Sequence, residues 1–432
     1  MTLSDPLRLP CGVELPNRLV RAAMTESIAD RHGDASPRHE RLYAAAAAGG
    51  PGLVITGNVM VDRAHLERAR NVVVDRWTDD AALRRWADAA AGVPTIVQLS
   101  HPGRQTTRYV NPHPVAPSAG PAVALGGAYA RSRALEVPEI EELRRRFVAV
   151  AVRVVGAGFV GVEIHAAHGY LLSSFLDPAT NRRTDAYGGS LRDRARLLCG
   201  IVTDTRAALP DGAVVAVKLD SRDDAELVAL GGWLADAGAD LLEVSGGNYE
   251  RPAMVGLDAS GAELAGEHES PFWNSAAALS AAVDVPVVLT GGFRSRTEVD
   301  RALAAGVCAA VGVGRPLAVR PELAGRFVRG EVDTLDRPAP RLGGPAAVRA
   351  LLGAAVGAGW HRVQLARASR GRGPALRLPA LAAGLDYSVG DWVRSLVERP
   401  ARLRRAGGAE GATTGPAARA PTRPARGSRR AR

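Results

Sequence analysis

The fold class is decided by one stretch of the sequence, PVVLTGGFRSRTEVDRALAAGVCAAVGVGRPL (286–317). It begins and ends with a short apolar run rich in valine, which is typical of strands buried on both faces of a parallel sheet. Between the runs, Ser295 suits the N-cap of a helix and Gly306 suits its end. The stretch therefore predicts a strand, a helix and a second strand parallel to the first.

The same pattern recurs along most of the chain. Six more apolar runs precede this unit, and segments with helical end signals separate them. Eight parallel strands with helical returns predict a closed (β/α)8 barrel of the TIM type, an α/β fold, with a doubly wound open sheet as the alternative. The eight runs are LVRAAM (19–24), LVITGN (53–58), TIVQLS (95–100), GVEIHA (161–166), VVAVKL (214–219), DLLEVSG (240–246), PVVLTGG (286–292) and AAVGVGR (309–315).

The segments outside these strands predict three further parts. Residues 7–18 suit a short N-terminal hairpin that plugs the bottom of the barrel. We expect the barrel to span residues 1–340 and a helical C-terminal extension to span 341–405, with an amphipathic helix at 391–405. Residues 406–432 contain almost no large apolar side chain and predict a basic, disordered tail.

The composition excludes several classes of protein. Hydrophobic residues make up 46% of the 432 residues and charged residues 23%, which is the balance of a globular protein. No apolar run approaches the ~20 residues that span a bilayer, and no signal peptide is recognisable. The three cysteines, Cys11, Cys199 and Cys308, are too far apart to form a CxxC pair. We therefore expect a cytoplasmic protein with no membrane partner.

The positive charge is concentrated at the C-terminus. The formal net charge is +10, and residues 401–432 hold nine arginines and one glutamate, which leaves +2 for the other 400 residues. A basic segment attracts nucleic acid or anionic membranes without specificity. We expect a solvated tail and no specific nucleic-acid partner.

The sequence contains a single lysine, Lys218, against 54 arginines. It lies in the apolar run VVAVKLD (214–220), where a charge is costly unless a partner stabilises it. Lysine presents a compact point charge, whereas arginine presents a rigid fork. Either the choice is chance or the position requires an ammonium group.

All eight predicted strands end in small or polar residues, at the face where barrel enzymes carry their active sites. The glycines after the last two strands allow backbone N–H groups to approach an anion, and Arg315 can bind it with two hydrogen bonds. These loops predict a site for a phosphorylated ligand. The residues at the strand ends are Thr25, Asn58, Gln98 with His101, His165 with His168, Lys218, Ser245, Gly291 with Gly292, and Gly314 with Arg315.

His165 and His168 admit three interpretations: metal ligands, histidines of the core, or two hydrogen-bond donors that converge on a substrate oxygen. A metal needs a third ligand, and Glu163 is expected to point to the opposite side of the strand, so we predict no metal site. We favour the pair of donors. Tyr170 then follows at a position from which its phenol can deliver a proton.

These residues lie in stretches that resemble the Old Yellow Enzyme family of NADH:flavin oxidoreductases. The most specific of them is HAAHGYLLSSFLDPATNRRTDAYGGS (165–190), and the likeness is to bacterial members of NADH oxidase or enoate reductase type. The three cysteines cannot supply the iron–sulfur cluster of the larger relatives. The other matching stretches are NRLVRAAMT (17–25), GLVITGNVMVD (52–62), VQLSHPGRQ (97–105), VVAVKLDSRD (214–223), LLEVSGGNYE (241–250), PVVLTGGFRS (286–295) and VGVGRPL (311–317).

The resemblance implies that FMN lies across the barrel mouth. Gln98 would bind the pyrimidine edge of the flavin, and Lys218 would lie by N1 and O2, where negative charge collects on reduction. Thr25 would donate to the O4 region; many bacterial members carry cysteine there. The backbone around Ala23, Met24 and Asn58 would line the ring. The phosphate would bind to the loops that contain Gly291, Gly292, Gly314 and Arg315.

The resemblance also implies a reaction. NADH or NADPH would reduce the flavin, which would then pass hydride to a small electron-poor alkene in a ping-pong cycle. His165 and His168 would hold the carbonyl or nitro oxygen, and Tyr170 would protonate the alkene. A homo-oligomer is compatible with the family. Two alternatives stay open: a barrel lyase or aldolase that uses Lys218 as a Schiff-base amine, and a non-catalytic flavin-binding protein.

Overall fold

Thirteen strands are assigned in the computed structural model, which describes residues 1–123, 127–247, 270–336 and 346–398, the side chains of residues 346–355 excepted. They are β1 (Leu7–Arg8), β2 (Glu14–Leu15), β3 (Leu19–Arg21), β4 (Leu53–Ile55), β5 (Val59–Met60), β6 (Thr95–Ser100), β7 (Val115–Ala116), β8 (Arg133–Ala134), β9 (Gly161–Ala166), β10 (Val214–Asp220), β11 (Leu241–Ser245), β12 (Val287–Thr290) and β13 (Ala310–Val313).

Eight of these strands close into a parallel barrel, in the order β3, β4, β6, β9, β10, β11, β12, β13. The ring is closed by the pairing of β13 with β3, in which Gly312 is the partner of Val20. The prediction of a (β/α)8 barrel is confirmed, and the doubly wound sheet is excluded because that sheet would have two open edges. The first barrel strand is shorter than expected, so Ala23, Met24 and Thr25 lie in the loop that follows it.

Helices pack around the barrel between most of its strands. At the start of α9 (Arg296–Ala304), the Ser295 side chain accepts a hydrogen bond from the Glu298 backbone N–H at 3.2 Å, as its predicted N-cap role requires. The helices are α1 (Pro37–Ala48), α2 (Asp80–Ala89), α3 (Val137–Gly156), α4 (Leu171–Leu176), α5 (Leu191–Arg194), α6 (Arg196–Ala208), α7 (Asp224–Asp236), α8 (Trp273–Ala282), α9 (Arg296–Ala304), α10 (Arg315–Val319), α11 (Leu323–Val328), α12 (Ala346–Ala368) and α13 (Ala380–Leu385).

The predicted hairpin plug is present. β1 and β2 pair antiparallel, with Leu7 opposite Leu15. Their leucines join a buried cluster with the first residues of the barrel strands, among them Leu53, Val214 and Leu241. This burial of apolar surface closes the amino-terminal end of the barrel, so ligands have access from the carboxyl ends of the strands.

The C-terminal extension packs against the barrel. Trp360 of α12 is buried with Val319 and Ala383. A π-helical turn, Asp386–Gly390, continues α13 into helical residues 391–398. The last part of the predicted helix, residues 399–405, and the predicted tail, 406–432, lie outside the described residues. The division of the chain at residues 340 and 405 stays a prediction.

Candidate active site

The structure places every predicted site residue at the carboxyl ends of the barrel strands or in the loops that follow them. Contacts connect several of them. Thr25 Oγ1 donates to Asn58 Oδ1 at 3.1 Å, and a Cβ atom added to Gly314 would lie 3.2 Å from the Met24 sulfur. A side chain at position 314 would therefore crowd Met24.

Four side chains form a polar layer inside the barrel: Gln98, Glu163, Lys218 and Glu243. All are at most 3% exposed. Lys218 Nζ donates to Glu243 Oε1 at 2.5 Å, and Gln98 Nε2 donates to Glu163 Oε2 at 2.6 Å. Glu243 is therefore the partner that burial of Lys218 requires. Sequence reasoning missed Glu243 and did not assign Glu163 to this layer.

The charges in the polar layer follow from burial and from neighbours. Burial and the nearby Glu243 carboxylate raise the pKa of Glu163 well above its ordinary value, which favours its protonated form. Burial alone would raise the pKa of Glu243, but Lys218 outweighs it and lowers that pKa. Glu243 in turn raises the pKa of Lys218 against the effect of burial. The layer thus contains an ion pair, which supplies the partner that the sequence left unidentified for Lys218.

The expected orientation of Glu163 was wrong. Residues two apart on a strand face the same side, so Glu163 and His165 both point into the barrel. Their neighbours on β6 show the same spacing: Gln98 contacts Glu163, and Ser100 Oγ lies 3.3 Å from His165 Nδ1. Glu163 still leaves the histidines without a third metal ligand, because it binds Gln98 and lies beside the Lys218–Glu243 pair.

The two predicted histidines face each other across the barrel mouth. His165 Nε2 and His168 Nδ1 are 3.1 Å apart, and His168 Nε2 lies 3.3 Å from Ser245 Oγ. Burial lowers the pKa of His168 to about 3 and that of His165 well below its ordinary value, so both rings are neutral near pH 7. Each neutral ring carries one N–H group, and one of the two facing nitrogens donates to the other.

His168 is held in an unusual backbone conformation. Its φ angle is 63°, which a side chain other than glycine seldom adopts, and Gly169 follows with a φ angle of 72°. Two residues missed by sequence reasoning hold this turn. Asp220 Oδ1 accepts from the His168 backbone N–H at 2.7 Å, and Gln105 Nε2 donates to the His168 carbonyl at 2.7 Å.

Tyr170 lies beside the histidines as expected. The phenol ring is 6% exposed and meets the His165 ring edge-on, with the ring centroids 4.9 Å apart. The backbone N–H of Leu171 donates to the carbonyl of His101 at 2.9 Å, which ties this turn to the end of β6. His165, His168 and Tyr170 thus form one cluster.

A second network lies behind Thr25. Asn71 Nδ2 donates to Asn58 Oδ1 at 3.2 Å. The Tyr43 hydroxyl donates to the buried Glu26 and accepts from the Gly57 backbone N–H at 2.8 Å. These bonds fix the loops after β3 and β4 relative to each other.

The predicted anion site has the expected backbone. Gly291 and Gly292 have φ angles of 109° and 96°, a region that favours glycine. Gly314 is the N-cap of α10, and Arg315 is its first residue. Backbone N–H groups that converge beside the N-terminus of a helix can donate hydrogen bonds to a phosphate group. The backbone N–H groups around Gly291, Gly292 and Gly314 therefore fit the phosphate of FMN. The side chains of the polar layer fit the polar edge of its ring.

One cluster of possible metal ligands occurs in the described part of the chain, outside the predicted site. The ligand atoms of Asp62, His65 and His101 lie within 4.8 Å of one another. Arg146 Nη1 lies 3.1 Å from Asp62 Oδ2, and the Gly103 backbone N–H donates to His101 Nδ1 at 3.1 Å. That donation places the His101 proton on Nε2, the nitrogen a metal would need. We interpret the cluster as an ion-pair network.

The neutral state of His168 makes stability depend on pH. The pKa of His168 is about 3 in the folded protein and near 6.5 in the unfolded chain. Below pH 6.5 the unfolded chain binds a proton that the folded protein does not bind, so the free energy of unfolding falls as the pH is lowered toward 3. The wild-type protein should therefore lose on the order of 2 kcal/mol more stability than His168→Asn between pH 7.5 and pH 4.5. Urea unfolding at both pH values measures this difference. The exposed His113→Asn variant should follow the wild type, and equal losses in all three proteins would contradict the assignment.

Comparison with known proteins places these residues in a family. The NADH:flavin oxidoreductase / NADH oxidase family matches residues 2–333. The NADH-dependent flavin oxidoreductase iliE of Hypocrea jecorina is 39% identical over 349 residues, which cover 74% of this chain and 87% of that protein. The NADH oxidase of Thermoanaerobacter brockii is 34% identical over 327 residues, which cover 71% of this chain and 48% of that protein.

Solved structures agree with this assignment. The old yellow enzyme homologue from Zymomonas mobilis has a TM-score of 0.66 and 27% identity, and the match covers 78% of this chain and 95% of that chain. Morphinone reductase in complex with tetrahydroNAD has a TM-score of 0.65 and 25% identity, and the match covers 79% of this chain and 93% of that one. Among the residues described above, no helix is long and apolar enough to cross a membrane.

Proposed function

Because the chain belongs to the NADH:flavin oxidoreductase / NADH oxidase family, whose enzymes use FMN with NADH or NADPH, we propose that its second substrate is a small electron-poor alkene. The observation that carries the proposal is the pair of neutral histidines, His165 and His168, with facing ring nitrogens 3.1 Å apart. Two N–H donors that converge on one oxygen polarise a conjugated carbonyl or nitro group. Such a group is what activates an alkene for hydride addition.

The two serines at the outer ends of this pair support the required tautomers. In the structure the inner nitrogens of the two rings hydrogen-bond to each other. A substrate oxygen would replace this hydrogen bond and accept from both rings, each of which would then carry its proton on the inner nitrogen. The outer nitrogens, His165 Nδ1 and His168 Nε2, must then accept hydrogen bonds. Ser100 and Ser245 have hydroxyl groups 3.3 Å from these atoms and can donate to them.

Tyr170 is the proposed proton donor. Its ring is packed against His165, next to the place where the substrate oxygen would bind. Bound FMN supplies hydride transfer, first from NAD(P)H and then to the alkene. The phenol gives its proton to the α carbon, and the phenolate regains a proton from solvent. NAD(P)H and the alkene would bind in turn at the same barrel mouth, which predicts ping-pong kinetics.

The residues that hold FMN are also proposals. The cradle of Gly291, Gly292, Gly314 and Arg315 would bind the phosphate, and Ala23, Met24, Thr25 and Asn58 would line the ring. Gln98 donates one of its two amide N–H groups to Glu163, and its carbonyl oxygen can accept from a flavin N–H. Lys218 would meet the N1 and O2 edge as one half of an ion pair.

The lyase alternative receives no support from the geometry. A Schiff base requires a neutral amine, whereas Glu243 holds Lys218 as the ammonium ion. Family membership likewise argues for an enzyme rather than a passive flavin carrier.

An absorption spectrum of the purified protein tests the proposal. We expect the bands of oxidised flavin, bleaching by NADH or NADPH without oxygen, and recovery when cyclohexenone is added. Bleaching followed by recovery only with oxygen would overturn the alkene substrate. Flavin that no nicotinamide reduces would contradict the electron donor as well.

A further inference from the structure

In the last described helical stretch, residues 380–398, the large apolar side chains face outward. Its outward face is a continuous apolar stripe, whose members are 42–71% exposed. Of the eleven exposed large apolar side chains in the described part of the chain, seven belong to this stripe. The stripe consists of Leu381, Leu385, Val389, Trp392, Val393, Leu396 and Val397.

Ala383 packs inward against Trp360, and from Tyr387 to Glu398 the inward face is polar and paired with the barrel. Asp391 is 5% exposed and accepts from the Ala69 backbone N–H at 3.1 Å. Arg70 Nε donates to Glu398 at 2.9 Å, and the Arg68 guanidinium lies 3.3 Å from the centre of the Tyr387 ring. These contacts fix the rotation of the helix, so the stripe cannot turn inward without breaking them.

This arrangement is the opposite of an ordinary surface helix, which buries its apolar side. Each stripe residue has another stripe residue three or four positions away, which places them on one broad face. A contiguous exposed apolar face of this kind marks an interaction surface.

The charge of the following segment indicates the kind of partner. Residues 399–432 contain ten arginines and one glutamate, a charge of +9 out of a total of +10. An apolar helical face next to a polybasic segment provides the two signals that hold proteins on anionic lipid. A second copy of the chain would instead bring a like charge of +9 to the interface.

We propose that the stripe docks this protein on an anionic phospholipid surface, and that the positive charge of the sequence after it favours anionic over neutral lipid. The stripe side chains enter the boundary between headgroups and acyl chains. Trp392 suits this boundary because its indole ring is amphipathic. The sequence alone led us to expect no membrane partner, since the stripe is visible only once the inward face is known.

The docking would bring lipid close to the barrel mouth. The loop that the helix contacts, residues 68–70, leads directly into Asn71, whose amide binds Asn58 at the mouth. One helix diameter, about 10 Å, separates this loop from the stripe surface. Substrates that partition into lipid would reach the mouth without crossing bulk solvent.

Sedimentation of the FMN-loaded full-length protein with vesicles tests the proposal. We expect binding to phosphatidylcholine vesicles that contain phosphatidylglycerol, little binding to pure phosphatidylcholine, and release at high salt. Leu385→Gln/Val393→Gln should weaken binding about tenfold or more, because two apolar side chains no longer enter the boundary. The matched control is Val152→Gln, an exposed apolar residue of α3, which should bind like the wild type.

Several outcomes would overturn the proposal. The wild type would stay in solution with the anionic vesicles, or the stripe variant would sediment as the wild type does. A dimer without lipid that the stripe variant converts to a monomer would assign the stripe to a second copy. A markedly lower melting temperature of the stripe variant without lipid would show that the chain's own residues cover it.

Discussion

Replacing Tyr170 with Phe should slow alkene reduction by about 10²–10⁴-fold and leave flavin reduction by NADH or NADPH nearly unchanged. The substitution removes only the hydroxyl, so the ring keeps its edge-on contact with His165. Hydride transfer from nicotinamide to flavin needs no proton from this phenol, whereas protonation of the alkene does. Stopped-flow measurement of the two half-reactions separates these steps.

A matched variant controls for the loss of a partly buried phenol. Tyr187 is 5% exposed, and its hydroxyl donates to Glu141 away from the barrel mouth. Tyr187→Phe should therefore leave both half-reactions close to the wild-type rates. An equal loss in the two half-reactions of Tyr170→Phe would show that Tyr170 shapes the mouth and is not the acid. A solvent isotope effect on the alkene step that persists in Tyr170→Phe would point to another donor.

The barrel could be predicted because its signals are local. Each strand is a short apolar run with a turn signal after it, and a helix cap such as Ser295 acts within four residues. The resemblance then located the site, since the motif that contains His165, His168 and Tyr170 is long and continuous. The structure brought these three residues together as expected.

The polar layer could not be predicted because its partners come from different strands. Lys218 and Glu243 are 25 positions apart, and only strand pairing shows that they are neighbours. A signal was nevertheless present. Glu163 lies two residues before His165, and Glu243 two residues before Ser245, so strand alternation places both glutamates on the inner face. Applying that rule consistently would have corrected the orientation assigned to Glu163.

The supports of the histidine turn were hidden for a similar reason. Asp220 follows Lys218 at the same spacing of two, yet its role depends on the backbone N–H of His168, 52 positions away. The left-handed conformation of His168 has no signal in its own residue type. The glycine at position 169 is the one local indication of a tight turn.

Replacing Lys218 with Met should destabilise the fold by about 3–5 kcal/mol, because it leaves the Glu243 carboxylate buried without its cation. Two carboxyl groups, Glu163 and Glu243, would then share a site that no positive side chain stabilises. Urea unfolding of the FMN-loaded protein near pH 7.5 measures the loss. Stability should recover in part as the pH is lowered, since protonation of Glu243 removes the unpaired charge.

A double variant separates the ion pair from the volume of the side chain. Lys218→Met/Glu243→Gln has neither charge, so it should recover most of the stability that the single variant loses. Its flavin site would also lack the ammonium group. If the double variant regains stability but binds FMN weakly, Glu243 serves to keep Lys218 charged, and Lys218 serves the cofactor. If the single variant is as stable as the wild type, the pair does not hold the barrel interior together, and the ionised state of Glu243 is wrong.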